Sequence, residues 1–118
     1  MAIQTFQEIV AWQKAHVLAL EIYKATETFP KTETFGLTSQ MRRCSVSVPS
    51  NIAEGFKRRT RNDSAHFYNI SEGSLEELKY QLLLSRDLGY ISIDKYNELK
   101  QLADEVGKLV NAWKRSQK

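Results

Sequence analysis

Cysteine, proline and glycine are all scarce here, with one, two and five among 118 residues. Cys44 has no second thiol to pair with, which excludes an internal disulfide framework, and no cysteine or histidine stands at metal-ligand spacing from it. With so few prolines and glycines there is no Pro-rich or Gly/Ser linker, and no repeat or low-complexity tract interrupts the chain. No apolar run approaches the roughly 18 residues that a membrane-spanning helix needs. The first residues, MAIQTFQEIV, lack the basic segment and apolar core of a secretory signal. These absences set the expectation of one reduced, cytosolic domain over residues 1–118. Its 42% hydrophobic content is enough to fill a core.

Helical periodicity accounts for nearly all of the chain. Phe6, Ile9, Val10, Val17, Leu20 and Tyr23 follow three-and-four spacing and predict a first helix over residues 5–28, stopped by Pro30. A second helix is expected from near Thr34, with Leu37, Met41, Cys44, Val48, Ile52 and Gly55 or Phe56 on one stripe. Pro49 falls inside it and removes the hydrogen bond to the Ser45 carbonyl, which predicts a bend. The stripe keeps its phase across Pro49, which argues for one helix rather than two. Thr60 or Asn62 would cap a third helix with Phe67, Ile70, Leu75, Leu78, Leu82 and Leu88 as its inner face, and Gly89 reads as the left-handed residue that ends it. Ser92 would cap a fourth, whose Tyr96, Leu99, Ala103, Val106, Val110 and Trp113 alternate steps of three and four. Four long helices joined by short turns predict an all-α, up-down-up-down four-helix bundle with a proline-bent second helix.

The charge is unevenly placed. Within residues 36–62, Arg42, Arg43, Lys57, Arg58, Arg59 and Arg61 stand against Glu54 alone, a net +5 in a chain whose total is +3, so the remainder is −2. A local excess of this kind marks a surface patch. One or two of the cations at the end of the second helix answer the helix dipole. The rest exceed that need, and arginine forks beside Asn62 and Ser64 suit phosphate oxygens. A solvated face with no partner is the plainer alternative.

Catalytic and metal signatures are missing from the motifs. Gln13 precedes His16 by three positions and Asp63 precedes His66, so neither histidine completes the Glu-x-x-His pattern of metal-bearing bundles. Glu72, Glu76 and Glu77 crowd one helix, and no signature ties Ser45, Ser47 or Ser50 to a base. The expectation is a protein with no metal, cofactor or catalytic residue. Gln40, Ser47, Asn51 and Glu54 recur along the second helix as a polar row, read as a hydrogen-bond network across a helix pair or subunit boundary. Trp12, Tyr23 and Trp113 could stack on bases, although packing in a core or interface is the simpler role. Aromatics spilling beyond one face of the first helix point to self-association.

Several of these stretches resemble a known family. Ala11-Trp12-Gln13-Lys14-Ala15, Phe29-Pro30, Gly36-Leu37-Thr38-Ser39-Gln40 with Arg42-Arg43, Ser47-Val48-Pro49-Ser50-Asn51-Ile52-Ala53-Glu54-Gly55, and Gly73-Ser74-Leu75-Glu76-Glu77-Leu78 are similar to the bacterial bundle proteins encoded in intervening sequences of 23S ribosomal RNA genes. The resemblance implies a non-enzymatic, homopentameric bundle. It also implies that Gln40, Arg43, Asn51, Glu54 and Gly55 are structural or interface determinants, with Arg58 and Arg59 on the basic surface. A related bundle, the accessory protein of diversity-generating retroelements, is a nucleic-acid-binding pentamer that partners a reverse transcriptase, which favours RNA as a partner here. The alternative is a protein-interaction scaffold with no nucleic-acid partner. The family core often has alanine at the position of Cys44, read here as a packing change.

Overall fold

The computed structural model describes residues 2–117. Its helices are α1 (Val10–Thr26), α2 (Leu37–Phe56), α3 (Arg61–Asp87) and α4 (Ile93–Ser116), with single 3-10 turns at Phe6–Glu8 and Lys31–Glu33. Contacts between α2 and α3 run Met41 to Ser85, Ser47 to Ser74, Val48 to Ser71 and Gly55 to Ser64, so one number rises as the other falls. The pairs Lys79 to Asp104 and Glu72 to Lys114 show the same for α3 and α4. With α1 packed on both α2 and α4, the four helices close into an up-down-up-down bundle.

Local chemistry sets the helix ends. The Glu8 carboxylate accepts from the amides of Gln4 and Thr5 at 3.1 and 3.0 Å, which closes a separate turn ahead of α1. Ile9 is extended between the two, so α1 begins at Val10 rather than near Thr5. Phe29 turns into the core against Tyr90, and α1 stops two residues short of the expected Thr28. Glu33 accepts the Leu37 amide at 3.1 Å and the Tyr90 hydroxyl at 2.8 Å; these bonds hold its carboxyl below the usual range and start α2 at Leu37. Thr60 and Ser92 cap α3 and α4 through the amides of Asp63 and Lys95. Gly89, at φ 78°, has the left-handed backbone expected of it.

The expected inner faces of α2 and α4 agree with the structure, and α2 runs through a buried Pro49 as one helix. That of α1 does not. Val10, Val17, Leu20 and Tyr23 are each 42–55% exposed, while Ala11, Ala15, Leu18, Ala19 and Ile22 face the core. That face mixes three alanines with the fully buried Leu18 and Ile22, and the stripe of Val10, Val17, Leu20 and Tyr23 lies out of phase with it. The first half of α3 departs similarly, with Tyr68 and Ser71 buried and Ile70 exposed, and Leu88, just past the helix end, is exposed too.

The α2–α3 seam is built from small residues. Ser71 Oγ donates to the Val48 carbonyl and Ser85 Oγ to the Gln81 carbonyl, both at 2.8 Å, so buried hydroxyls have acceptors. A Cβ on Gly55 would lie 2.4 Å from Cε1 of the buried Tyr68 ring, a distance that the packing cannot admit. Gly73, on the same seam-bearing helix, meets nothing within 4 Å. Gly55→Ala should therefore destabilise by about 1–3 kcal/mol through overpacking. Gly73→Ala should instead stabilise by about 0.5–1 kcal/mol through helix propensity. Denaturant midpoints of the two variants check this opposite pair.

Candidate nucleic-acid interface

Residues 57–60 connect α2 to α3 and are anchored on both sides. The amides of Lys57 and Arg58 donate to the carbonyls of Glu54 and Gly55, Ser64 Oγ adds a second bond to Gly55 O at 2.8 Å, and Thr60 caps α3. This short fixed turn projects Lys57, Arg58 and Arg59, with Arg61 following at the start of α3, all exposed. Arg58 is engaged: its guanidinium pairs with Glu54 at 3.3 Å and lies 4.8 Å from the centre of the Phe67 ring. Lys57, Arg59 and Arg61 have no side-chain hydrogen bond or ion pair among the described residues. Their charge faces solvent.

Arg42 and Arg43 lie elsewhere. About 20 Å of helix separates Arg43 from Lys57 at 1.5 Å per residue. Arg42 is a bracket between helices, donating from Nε to Thr26 Oγ1 at 2.9 Å and from a terminal nitrogen to Tyr23 O at 3.2 Å, with Tyr23 beneath it at 4.6 Å. Arg43 is exposed and makes no such bracket. The six basic residues thus form a turn cluster and a separate pair, of which one member holds α2 to the end of α1.

The antiparallel path brings in cations that the linear reading undervalued. The end of α4 lies beside the start of α3, where Arg61, Lys114 and Arg115 share a hollow with Ala65, Tyr68 and Gln117. The alternating helix directions alone would have placed residues 114–115 beside the α2–α3 turn.

The polar row divides as well. Ser47 and Ser74 hydroxyls lie 2.8 Å apart, and Asn51 Nδ2 donates back to Ser47 O at 2.8 Å and Ser47 Oγ at 3.0 Å. Gln40 and Glu54 are exposed, the latter serving Arg58, and Gly55 receives Tyr68. His16 stacks on Trp12 at 5.0 Å and His66 meets Phe67 edge-on at 5.4 Å. Glu72 pairs with Lys114 at 2.7 Å and Glu76 with Lys79 at 3.7 Å. Among the described residues no three His, Cys, Asp or Glu side chains converge as a metal site, and no helix is long and apolar enough to cross a membrane. Between α1 and α2 runs an apolar groove of about 470 Å³, lined in part by Phe6, Trp12, Leu20, Tyr23, Val46 and Pro49. Trp12 and Tyr23 belong to this groove, whereas Trp113 packs partly buried against Tyr68.

A family model described as 23S rRNA-intervening sequence protein matches residues 7–112. The chain belongs to this family. The stretch matched takes in all of α1, α2 and α3 and most of α4, so the basic turn and the groove both lie inside it. No curated protein matches the chain. A crystal structure of a protein of unknown function from Bacteroides thetaiotaomicron, described as from the S23 ribosomal protein family, superposes with a TM-score of 0.80 at 24% identity. It covers 91% of this chain and 100% of its own, a likeness of fold.

Two measurements follow from this geometry. Arg42→Ala should cost about 1–2 kcal/mol by removing charge-assisted bonds between α1 and α2. Arg43→Ala should stay within about 0.5 kcal/mol of the parent. Thermal unfolding of both variants decides whether the adjacent arginines differ in this way. Buried Cys44 has its thiol pushed up to about 11, first by burial and then by the nearby Glu77 carboxylate. A raised thiol pKa disfavours the thiolate, so alkylation at pH 8 should be about 100-fold slower in the folded protein than in the unfolded chain. Mass-spectrometric timing of iodoacetamide labelling, with and without denaturant, measures this.

Proposed function

We propose that this protein is a non-catalytic, self-associating bundle that binds RNA through the basic end formed by the α2–α3 turn. The observation that carries the reading is the set of unpaired cations, Lys57, Arg59 and Arg61, held out by a turn that hydrogen bonds fix on both sides. Side chains held this way lose less freedom on meeting phosphate than the same charges on a mobile loop. The family's description ties it to ribosomal RNA genes, which favours RNA among polyanions. Self-association is supported by the exposed Leu20, Tyr23 and Val46 that line the α1–α2 groove with Phe6 and Trp12, a larger apolar face than isolated surface residues make. An assembly such as the homopentamer that the resemblance implies would repeat the basic end. A long RNA could then engage several copies with a gain in avidity.

A second reading draws on the groove itself: the apolar α1–α2 face would dock another polypeptide, and the basic turn would serve solubility. The discriminating experiment is a fluorescence-anisotropy titration of labelled structured RNA at several salt concentrations, with Lys57→Glu/Arg59→Glu alongside the parent. The RNA reading expects affinity to fall steeply with salt and to drop by about tenfold or more in the variant, which should melt like the parent because neither side chain has a partner. Binding that is absent at low salt, or unchanged in the variant, would remove the RNA reading and leave the scaffold.

A further inference from the structure

Resting on the nucleic-acid reading above, we propose that the hollow between the start of α3 and the end of α4 is a seat for one phosphate group, with Arg61 and Arg115 as its principal ligands. The hollow measures about 170 Å³ and is lined by Arg61, Ala65, Tyr68, Lys114, Arg115 and Gln117. Sites for drug-sized molecules run to about 300–1,000 Å³, so this one suits a phosphate and its waters rather than a whole cofactor. Three of its six lining residues are cationic, and a guanidinium pair can bind a phosphate in bidentate fashion.

The charges are differently committed. Lys114 Nζ is fixed by Glu72 Oε1 at 2.7 Å and Asn69 Oδ1 at 3.1 Å, so it is held in place but largely balanced. Arg61 and Arg115 have no ion pair among the described residues. Asp63, two residues after Arg61 in the first turn of α3, is an opposing charge that the arginines must outweigh.

The start of α3 favours an anion as well. The amides of Arg61 and Asn62 open α3 and have no intrahelical acceptor. At the end of α4, where the helix dipole opposes an anion, Trp113 O accepts from Ser116 Oγ at 2.7 Å and from Gln117 Nε2 at 3.3 Å, which covers that one carbonyl. The indole N–H of Trp113 is buried beside Tyr68, whose ring lines the hollow and lies 6.4 Å away. The seat extends the basic surface from Lys57 and Arg59 across the end of the bundle to α4, and so sets a direction for the nucleic-acid backbone.

The test uses the full chain labelled with ¹⁵N, in which Trp12 and Trp113 supply two indole signals. Inorganic phosphate is titrated at constant ionic strength, followed by one oligoribonucleotide carrying either a 5′-phosphate or a 5′-hydroxyl. The seat predicts a saturable shift of the Trp113 signal with Trp12 unmoved, lost in Arg61→Ala/Arg115→Ala. It also predicts that this exposed-residue variant keeps its melting behaviour and loses about one unit of RNA salt slope per arginine. A stronger response to the 5′-phosphate form assigns the seat to a strand end, and an equal response assigns it to internal phosphates. A still Trp113 signal, with unchanged RNA binding in the variant, overturns the seat; the broader reading then stands if Lys57→Glu/Arg59→Glu still abolishes binding. A phosphate-driven shift with no RNA binding by the parent overturns the nucleic-acid reading and leaves a small-anion site.

Discussion

The close approach of α2 to α3 is the constraint on which the remainder depends. It exists because glycine and serine stand where bulkier residues would hold the helices apart: Gly55 beneath the Tyr68 ring, and Ser47 against Ser74. Ser71 closes the same seam on the Val48 carbonyl. These serine hydroxyls each find a partner, so the seam gains contact without stranding them; Gln81 Oε1, further along α3, is buried without one. The same approach lets Ser64 reach Gly55 O, which ties the last turn of α2 to the first turn of α3. A connection of four residues, 57–60, is thereby fixed at both ends, and what projects from it is basic.

Function then follows from which charges are already satisfied. Arg42 and Arg58 carry the same guanidinium as Arg59, yet one brackets α1 and the other is stacked on Phe67 beside Glu54. Lysines and acids along α3 and α4 pair with each other, as in Lys79 with Asp104 and Lys100 with Asp104. The resulting hydrogen bonds hold the Asp104 carboxyl below its usual range, a structural use of charge. Against that background Lys57, Arg59, Arg61 and Arg115 stand out as cations at one end of the bundle with no ion pair among the described residues. The apolar groove between α1 and α2 is a separate surface with separate chemistry, suited to protein rather than to phosphate.

Much of this architecture was legible in the residue pattern, and the misses fall where apolar residues stand on more than one helix face. In α2 and α4 the core is made of large apolar residues, so three-and-four spacing found Met41, Val48, Ile52, Leu99, Val106 and Val110 directly. In α1 the buried face interleaves alanines with Leu18 and Ile22, and in the first half of α3 it holds Tyr68 and Ser71, so apolar residues stand on both the inner and outer faces and spacing alone admits two phases. The stripe chosen from spacing took Val17, Leu20 and Ile70 as core and passed over Leu18 and Ile22 as well as Ala15 and Ser71. The basic turn was visible as a run of charge. Its division into paired and unpaired members was not, since Thr26 and Tyr23 reach Arg42 only in the folded chain. Arg115 was within reach of the sequence: alternating helix directions put the end of α4 beside the 2–3 turn.

Ultraviolet crosslinking of a structured RNA to the intact protein, with the crosslinked peptides located by mass spectrometry, tests the central claim most directly. The account predicts crosslinks concentrated in residues 57–62 and 113–117. Crosslinks confined to the α1–α2 groove, or none above background at low salt, would contradict it.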